Sequence, residues 1–234
     1  MVGNMLVRQC LVGFRKQYWF SFHTVVVFAS ISFYHLIMAS DSINVMTVVG
    51  SLHGESVTRI AVGHVSKALQ EAGCSVDVLD LAVESLPLMN TDITFVSDYY
   101  QPLKERVMQA DAFVLGTPDY HGGMSGALKN FLDHFWREFT GKLFASIVAS
   151  HEKGLTAHDQ IRTTARQCYA WSLPYAVSFH EKEDIIDGKV SSDHLKKRLK
   201  MMINDLQAYG RVLAVQRATD LAGTEPCFLA HLRK

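Results

Sequence analysis

The chain has 234 residues, of which 48% are hydrophobic and 20% charged, a balance typical of a globular protein with one sizeable core. Its 23 basic and 23 acidic residues cancel, so no excess positive charge favours nucleic acid or an anionic membrane surface. The four cysteines form no C-x-x-C pair and show no zinc-ligand spacing, which favours a reduced cytoplasmic protein without a metal site.

Residues 1–37 differ from the rest of the chain and are treated as an N-terminal extension. Residues 18–38, YWFSFHTVVVFASISFYHLIM, are apolar and long enough to suggest a membrane span, and Arg8, Arg15 and Lys16 precede them. Three interpretations stay open: a start set too early or a tail, with the protein beginning at Met38; a membrane anchor; or a signal peptide. The first is favoured because polar side chains interrupt the apolar run. The expected domain therefore covers 38–217, followed by a loose tail at 218–234.

The first half of the domain is predicted to alternate between strand and helix. The apolar run at 44–49 predicts a buried strand, and helical spacing of apolar residues predicts a helix over 58–72 that stops at Gly73. Alternation predicts a second strand at 75–81. An irregular connection begins at Leu86, and a helix is expected over 98–110, with Leu103, Val107 and Met108 facing inward.

The second half continues the same alternation. It predicts strands at 112–116, 143–149 and 175–179, with helices at 125–135 and 157–171. A last helix starts after Ser191 or Ser192 and runs to about Leu213, with Tyr209 on its apolar spacing. Five strand–helix alternations predict an α/β fold with a doubly wound, five-stranded parallel sheet.

The first strand ends in a loop rich in hydroxyl groups, at residues 50–59 (GSLHGESVTR). A helix follows at once, and its first N–H groups together with the Ser and Thr hydroxyls favour a phosphate. The alternative is that these hydroxyls only cap the helix, as Ser and Thr often do. The loop matches neither of the two common nucleotide-binding motifs, G-x-x-x-x-G-K-[ST] and G-x-G-x-x-G.

The third strand ends in a second loop, which reads LGTPDYHGGMSGALKN over residues 115–130. This stretch resembles the NAD(P)H-dependent FMN reductase family of flavodoxin-like proteins. The family carries the signature Ser/Thr-Pro-x-Tyr-x-(Gly/Ala)-x-x-Ser-Gly-Ala-Leu-Lys-Asn here. The resemblance covers about residues 44–213 and implies a flavodoxin-like sheet with strand order 2-1-3-4-5, in which FMN binds at the switch point.

The resemblance also implies a set of cofactor-binding residues. Five residues match the family's loop for the FMN phosphate: Gly50, Ser51, Leu52, Ser56 and Thr58. His53 stands where the family usually has Arg, so Arg59 or a protonated His53 is expected to supply the missing charge. The second loop would frame the flavin ring with Thr117, Pro118, Asp119, Tyr120, His121 and Gly122. Ser150 and Gly154 of a third loop would touch the flavin edge, whereas the neighbouring His151 is expected to be a solvated loop residue.

By this resemblance the chain is expected to be an FMN-dependent NAD(P)H oxidoreductase. It would pass electrons to flavin, a quinone, an azo dye or a metal oxyanion, with no catalytic side chain because the flavin itself performs the hydride transfer. Two alternatives are an electron carrier like flavodoxin and a scaffold without flavin. Such carriers are typically strongly acidic, so the neutral charge balance speaks against the first alternative.

The assembly and location of the protein are also predicted. The resemblance implies association through the helix after the second loop, here 125–135, as family members often show. If exposed, four aromatic residues would be unusual on the surface of a monomer: Phe131, Phe135, Trp136 and Phe139. Together these points predict a homodimer or homotetramer through helix 125–135. The expected location is the cytoplasm. The alternative is a membrane-anchored protein in which residues 18–38 form the anchor.

Overall fold

The computed structural model describes residues 42–233 of the chain. The predicted N-terminal extension and the possible anchor at 18–38 lie outside these residues. Within 42–233, none of the helices combines the length and the apolar character needed to traverse a bilayer.

A parallel sheet forms the centre of the described domain. Its strand order is β2-β1-β3-β4-β5, with β6 paired to β4, so the flavodoxin-like prediction is confirmed. The strands are β1 (Asn44–Val49), β2 (Ser75–Asp80), β3 (Ala112–Pro118), β4 (Leu143–Ala149), β5 (Trp171–Ser172) and β6 (Val177–Phe179). β1 lies centrally between β2 and β3, and its residues 45–49 are buried, as expected for an apolar strand inside a parallel sheet.

The outer edge of the sheet differs from the single predicted strand at 175–179. β5 pairs with the start of β4 and β6 with its end, so two short strands share one neighbour. The N–H of Leu173 still donates to the carbonyl of Phe144 at 3.0 Å. Pro174 has no N–H group with which to continue the ladder, and the edge is interrupted there.

Helices cover both faces of the sheet. They are α1 (Val57–Glu71), α2 (Tyr100–Gln109), α3 (Gly126–Asp133), α4 (Leu155–Gln167), the short α5 (Glu181–Asp184) and α6 (Asp193–Ala222). The apolar sides of α1 and α6 share one core with the sheet. α2, α3 and α4 pack into a second core on the opposite face. A small hairpin of β7 (Ile185–Ile186) and β8 (Lys189–Val190) precedes α6.

Two residues that were placed on apolar helix faces are exposed instead. Met108 in α2 was expected inward but lies at the surface, because Val107 beside it is the residue of this turn that faces the core. Tyr209 of α6 is also exposed, although Leu206 one turn earlier is fully buried.

The predicted loose tail at 218–234 is wrong in the part that the structure describes. α6 continues to Ala222, nine residues past the predicted stop, and Arg217 in it donates to the carbonyl of Thr140 at 2.9 Å. Leu229 is buried, and Arg233 donates to the carbonyl of Asp220. These contacts hold the C-terminal segment against the domain.

The aromatic residues around α3 fill the core of this chain rather than a surface. Phe131, Phe135 and Phe139 are buried, and their rings meet edge to face. Of the four predicted interface residues, Trp136 alone is exposed, at 51%. Because three of these four side chains are buried inside the chain itself, they do not indicate an interface between chains.

A buried lysine joins the second core to the end of α2. Lys142 is 1% exposed, and its ammonium group donates to the carbonyls of Val107 and Met108 at 2.7 and 2.8 Å. These carbonyls belong to the last turn of α2, which has no further helical N–H to satisfy them. Burial, together with the charge of Arg217, lowers the pKa of Lys142 to about 7.

Candidate functional site

The loops after β1, β3 and β4 meet at the carboxyl end of the sheet, where α/β proteins place their ligands. They enclose a first cavity of about 380 Å³. Of the residues predicted for the site, this cavity is lined by Ser51, His53, Ser56, Thr58, Pro118, Asp119, Tyr120 and Ser150. A second cavity of about 630 Å³ adjoins it and is lined by the predicted residues His121, Gly122 and Gly154, with Asp119 and Ser150 shared.

The beginning of α1 presents hydrogen-bond donors to the first cavity. Ser56 caps the helix, since its hydroxyl accepts from the N–H of Arg59 at 3.3 Å. No group of the described residues accepts from the N–H groups of Val57 or Thr58, which both line this cavity. The hydroxyl residues Ser51 and Thr58, 3% and 1% exposed, line the same cavity. Capping and anion binding are therefore compatible here, because different groups perform them.

Arg59 does not supply the charge that the sequence led us to expect. Its guanidinium pairs with Asp80 at 2.5 Å and donates to the carbonyls of His53 and Gly54 at 2.9 and 2.7 Å. The hydrogen bond from Arg59 lowers the pKa of Asp80. Arg59 thus fixes the shape of the first loop from outside, and neither lysine nor arginine is among the described residues that line the first cavity.

Three predicted site residues line neither cavity. Gly50 donates to the carbonyl of Gly116 at 2.8 Å and accepts from the hydroxyl of Ser125 at 2.5 Å, which joins the tips of β1 and β3. The hydroxyl of Thr117 accepts from the N–H of Ser125 at 2.9 Å. Leu52 is exposed outside the cavities. Gly50 and Thr117 therefore support the two loops from below.

The second loop is a tight two-residue turn. Tyr120 and Gly123 exchange two backbone hydrogen bonds of 2.9 and 3.0 Å, and His121 and Gly122 between them have φ angles of 56° and 79°. Two consecutive left-handed residues define a type I′ turn. Asp119 stabilises it, because one carboxylate oxygen accepts from the N–H of Gly122 at 2.8 Å. The other oxygen accepts from the hydroxyl of Ser150 at 3.0 Å and ties the second loop to the third.

A buried histidine that the sequence analysis did not single out holds the third loop. The ring nitrogens of His158 lie 2.8 Å from the Ser146 hydroxyl and 3.0 Å from the Ser178 hydroxyl, and Ser178 donates to the carbonyl of Lys153. Burial lowers the pKa of His158 to about 4, so the ring is neutral at physiological pH. No local sequence pattern could have revealed this network, since its members come from β4, α4, β6 and the loop before α4.

His151 and Glu181 also line the first cavity. His151 is exposed, as expected of a solvated loop residue, but it lines both cavities. Its ring lies 3.2 Å from the ring of His180 and 3.8 Å from the carboxylate of Glu181. Glu181 was not predicted, because it lies in α5, a short helix after β6 that the sequence did not indicate. His180 caps this helix by accepting from the N–H of Lys182.

Comparisons with known proteins decide the family. The model of the family described as NADPH-dependent FMN reductase matches residues 43–184, more than half of the chain. The chain belongs to this family. The predicted resemblance is confirmed, and as a member of the NADPH-dependent FMN reductase family the chain is an FMN-dependent oxidoreductase with NAD(P)H as co-substrate.

Two relatives illustrate the similarity in sequence. The chain is 33% identical over 137 residues to an NADPH azoreductase of Bacillus sp. (strain OY1-2), covering 57% of this chain and 76% of the relative. It is 25% identical over 176 residues to an FMN-dependent NADPH-azoreductase of Staphylococcus haemolyticus (strain JCSC1435), covering 70% of this chain and 93% of the relative.

Two solved structures illustrate the similarity in fold. The apo form of the NADH:FMN oxidoreductase EMOB has a TM-score of 0.60 at 17% identity, over 71% of this chain and 89% of that one. FerB, a flavoenzyme NAD(P)H:(acceptor) oxidoreductase from Paracoccus denitrificans, has a TM-score of 0.59 at 21% identity, over 72% and 97% of the two chains. These likenesses concern the fold alone.

The first cavity has donors that suit an anionic group. Free N–H groups at the start of a 15-residue helix and two buried hydroxyls line one space, and the partial positive charge of the helix end favours an anion. The carboxylates of Glu55 and Glu181 also line this cavity.

Proposed function

We propose that this oxidoreductase binds FMN in the first cavity and reduces a flat aromatic acceptor, such as a flavin, a quinone or an azo compound, in the adjoining second cavity. The observation that carries the proposal is the convergence of three loops from β1, β3 and β4 on one space. Two of these loops carry the family's motifs. Strand tips at this edge are where a doubly wound sheet binds its ligand.

The phosphate end of the site lies at α1. The N–H groups of Val57 and Thr58, which have no acceptor among the described residues, would donate to phosphate oxygens. The hydroxyls of Ser51 and Thr58 would add further hydrogen bonds. Hydrogen bonds to a charged acceptor contribute about 1.5–3 kcal/mol each, so these groups can hold an anion without a cation in the cavity.

The ring end of the site lies at the second and third loops. When bound, FMN supplies the hydride chemistry, so the side chains have to orient and enclose rather than react. The type I′ turn presents the backbone of residues 119–122 to the cavities in one fixed arrangement. The hydrogen bond between Ser150 and Asp119 keeps the two loops at one separation. The larger second cavity leaves room beside them for an acceptor.

Removal of the buried hydroxyls tests the phosphate site. We expect the double variant Ser51→Ala, Thr58→Val to bind FMN at least about 100-fold more weakly, because it loses two hydrogen bonds to a charged group. The measurement is quenching of flavin fluorescence on titration of the apoprotein. Ser66→Ala is the matched control, since this buried hydroxyl of α1 contacts Thr47 and Val62 away from the cavity.

Unchanged FMN affinity in the double variant would contradict the phosphate site at α1.

The acceptor class is tested separately, by following NADPH oxidation by the FMN-loaded protein with a quinone or an azo dye present. Consumption no faster than without acceptor would argue against reduction of such acceptors. A cytoplasmic location belongs to the same proposal, because NAD(P)H is supplied there, and fractionation of lysed cells tests it.

We also propose a homodimer or homotetramer formed through the surface around α3. Three exposed apolar side chains, Leu88, Phe95 and Trp136, lie on this side of the domain or in the connection that leads to α2. Asn130 of α3 holds that connection, since its amide donates to the carbonyl of Pro87 at 2.9 Å and accepts from the N–H of Met89 at 2.8 Å. Sedimentation velocity at micromolar concentration should show a species of at least twice the mass of one chain. A single monomeric boundary would exclude it.

A further inference from the structure

A third cavity, of about 370 Å³, lies on the far side of the third loop. Its walls come from residues 152–155, from the end of β6 and from the start of α6. Glu152, Lys153 and Leu155 line both the second and the third cavity, so the two spaces adjoin along this loop. A ligand that extends beyond the flavin and across the third loop would therefore reach the third cavity.

The third cavity carries the most positive side chains of the three. Among the described residues that line these cavities, Arg198 is the only arginine and lines the third cavity alone, whereas Lys153, the only lysine, is shared with the second. Lys153 forms no ion pair with a described residue. Arg198 is held in place by the ring of Tyr175, 5.1 Å away, and donates one N–H to the carbonyl of Ala176 at 2.9 Å. Its remaining N–H groups stay available to a ligand.

The carboxylates around this cavity are not equivalent. Asp184 already accepts from the backbone N–H of His180 at 2.8 Å and from the hydroxyl of Ser192, so it closes the turn before α6. Glu152 is exposed and forms no ion pair with a described residue. It is therefore the one free carboxylate that an incoming anion would meet beside Lys153.

We propose that Lys153 and Arg198 bind the 2′-phosphate of NADPH in the third cavity and so make the enzyme prefer NADPH to NADH. The inference deepens the proposed function and rests on it. The two dinucleotides differ only in this phosphate, a group with almost two negative charges, and charge-assisted hydrogen bonds from lysine and arginine are the usual means of recognising it.

The span across the sheet suits this assignment. β3, whose loop would frame the flavin ring, and β6, beside the third cavity, are two strand positions apart. At about 4.8 Å per position this is roughly 10 Å, a separation that an extended dinucleotide can bridge. Its nicotinamide would lie at the flavin while its adenosine half crosses the third loop.

Binding of two nucleotide fragments tests the inference. We expect the FMN-loaded protein to bind adenosine 2′,5′-bisphosphate at least about tenfold more tightly than AMP in isothermal titration calorimetry. Lys153→Gln should weaken binding of the bisphosphate about tenfold and leave AMP unchanged. Glu152→Gln should strengthen it, because the repelling carboxylate is removed. Lys182→Gln is the control, since Lys182 lies nearby on α5 but lines none of the three cavities.

The outcomes separate this inference from the proposed function. Equal affinity for the two fragments, or a Lys153→Gln variant that binds the bisphosphate like the parent, overturns the assignment of the third cavity. In that case NADH and NADPH would still reduce the bound flavin under nitrogen. If neither dinucleotide reduces it, the proposed function itself fails. We expect Lys153→Gln to lower kcat/KM for NADPH and to leave kcat/KM for NADH unchanged. This result would support both the proposed function and the assignment of the third cavity.

Discussion

Replacement of Gly50 by alanine is expected to reduce the stability of the domain by about 1–3 kcal/mol, and also to weaken FMN binding. A Cβ atom at residue 50 would lie 2.6 Å from the carbonyl oxygen of Gly116 and 2.8 Å from the Cβ of Leu128. Both atoms belong to packed elements, so the tip of β1 has to move away from β3. This movement would stretch the hydrogen bond between Gly50 and Gly116 and displace the first loop, which carries the phosphate donors.

Gly54→Ala is the matched control for this prediction. Gly54 lies in the same loop, but a Cβ there would meet no atom within 4 Å. Urea unfolding of both variants, with and without FMN, gives the two free energies and the stabilisation by ligand. If Gly50→Ala unfolds at the same urea concentration as Gly54→Ala, the close approach of β1 and β3 is not as the structure describes it.

Replacement of Lys142 by methionine is expected to reduce the free energy of unfolding at pH 7 by about 2–4 kcal/mol, because two carbonyls in the last turn of α2 lose their donors. Methionine has a similar length, so the effect reports the ammonium group rather than a cavity. Urea unfolding measures it. Lys67→Met is the control: Lys67 is exposed and forms an i,i+4 ion pair with Glu71, so its replacement should change stability by less than about 0.5 kcal/mol.

The same lysine also predicts a pH dependence. The pKa of Lys142 is about 7 in the folded protein and has its ordinary value of about 10.4 in the unfolded chain. Between these values the unfolded state binds the extra proton, so stability rises with pH, by up to about 1.4 kcal/mol per unit. The difference in stability between the parent and Lys142→Met should therefore grow from pH 7 to pH 9.5. A constant difference would mean that Lys142 titrates alike in both states.

The sequence predicted the central strands β1, β3 and β4 well because they are buried and read as apolar runs. β1 and β4 have the predicted bounds, and β3 continues only two residues further, to Pro118. The end of α6 was placed too early, because the apolar periodicity stops near Leu213 whereas the helix continues through residues of good helix propensity. The contact between Arg217 and Thr140 that accompanies this last part joins residues 77 positions apart, and no local pattern indicates it.

The sequence predicted which loops form the site, but not the side chains from other elements that hold these loops in place. The motifs placed Ser51, Thr58 and Asp119 around the first cavity. They could not show that Asp80, at the end of β2, forms an ion pair with the guanidinium of Arg59. Nor could they place His158 beneath the third loop. In each case the partner comes from another strand or helix, so its position depends on how the sheet is assembled.

The two borders of the sheet determine how copies of this protein can meet. At one border, β5 and β6 are two and three residues long, and Pro174 lies between them. At the other, β2 carries Asp77 and Asp80, which are paired with Arg106 and Arg59. Short, interrupted or charged borders discourage the addition of a foreign strand. In the described domain, contact through helix and loop surfaces is therefore favoured over the addition of a strand at either edge.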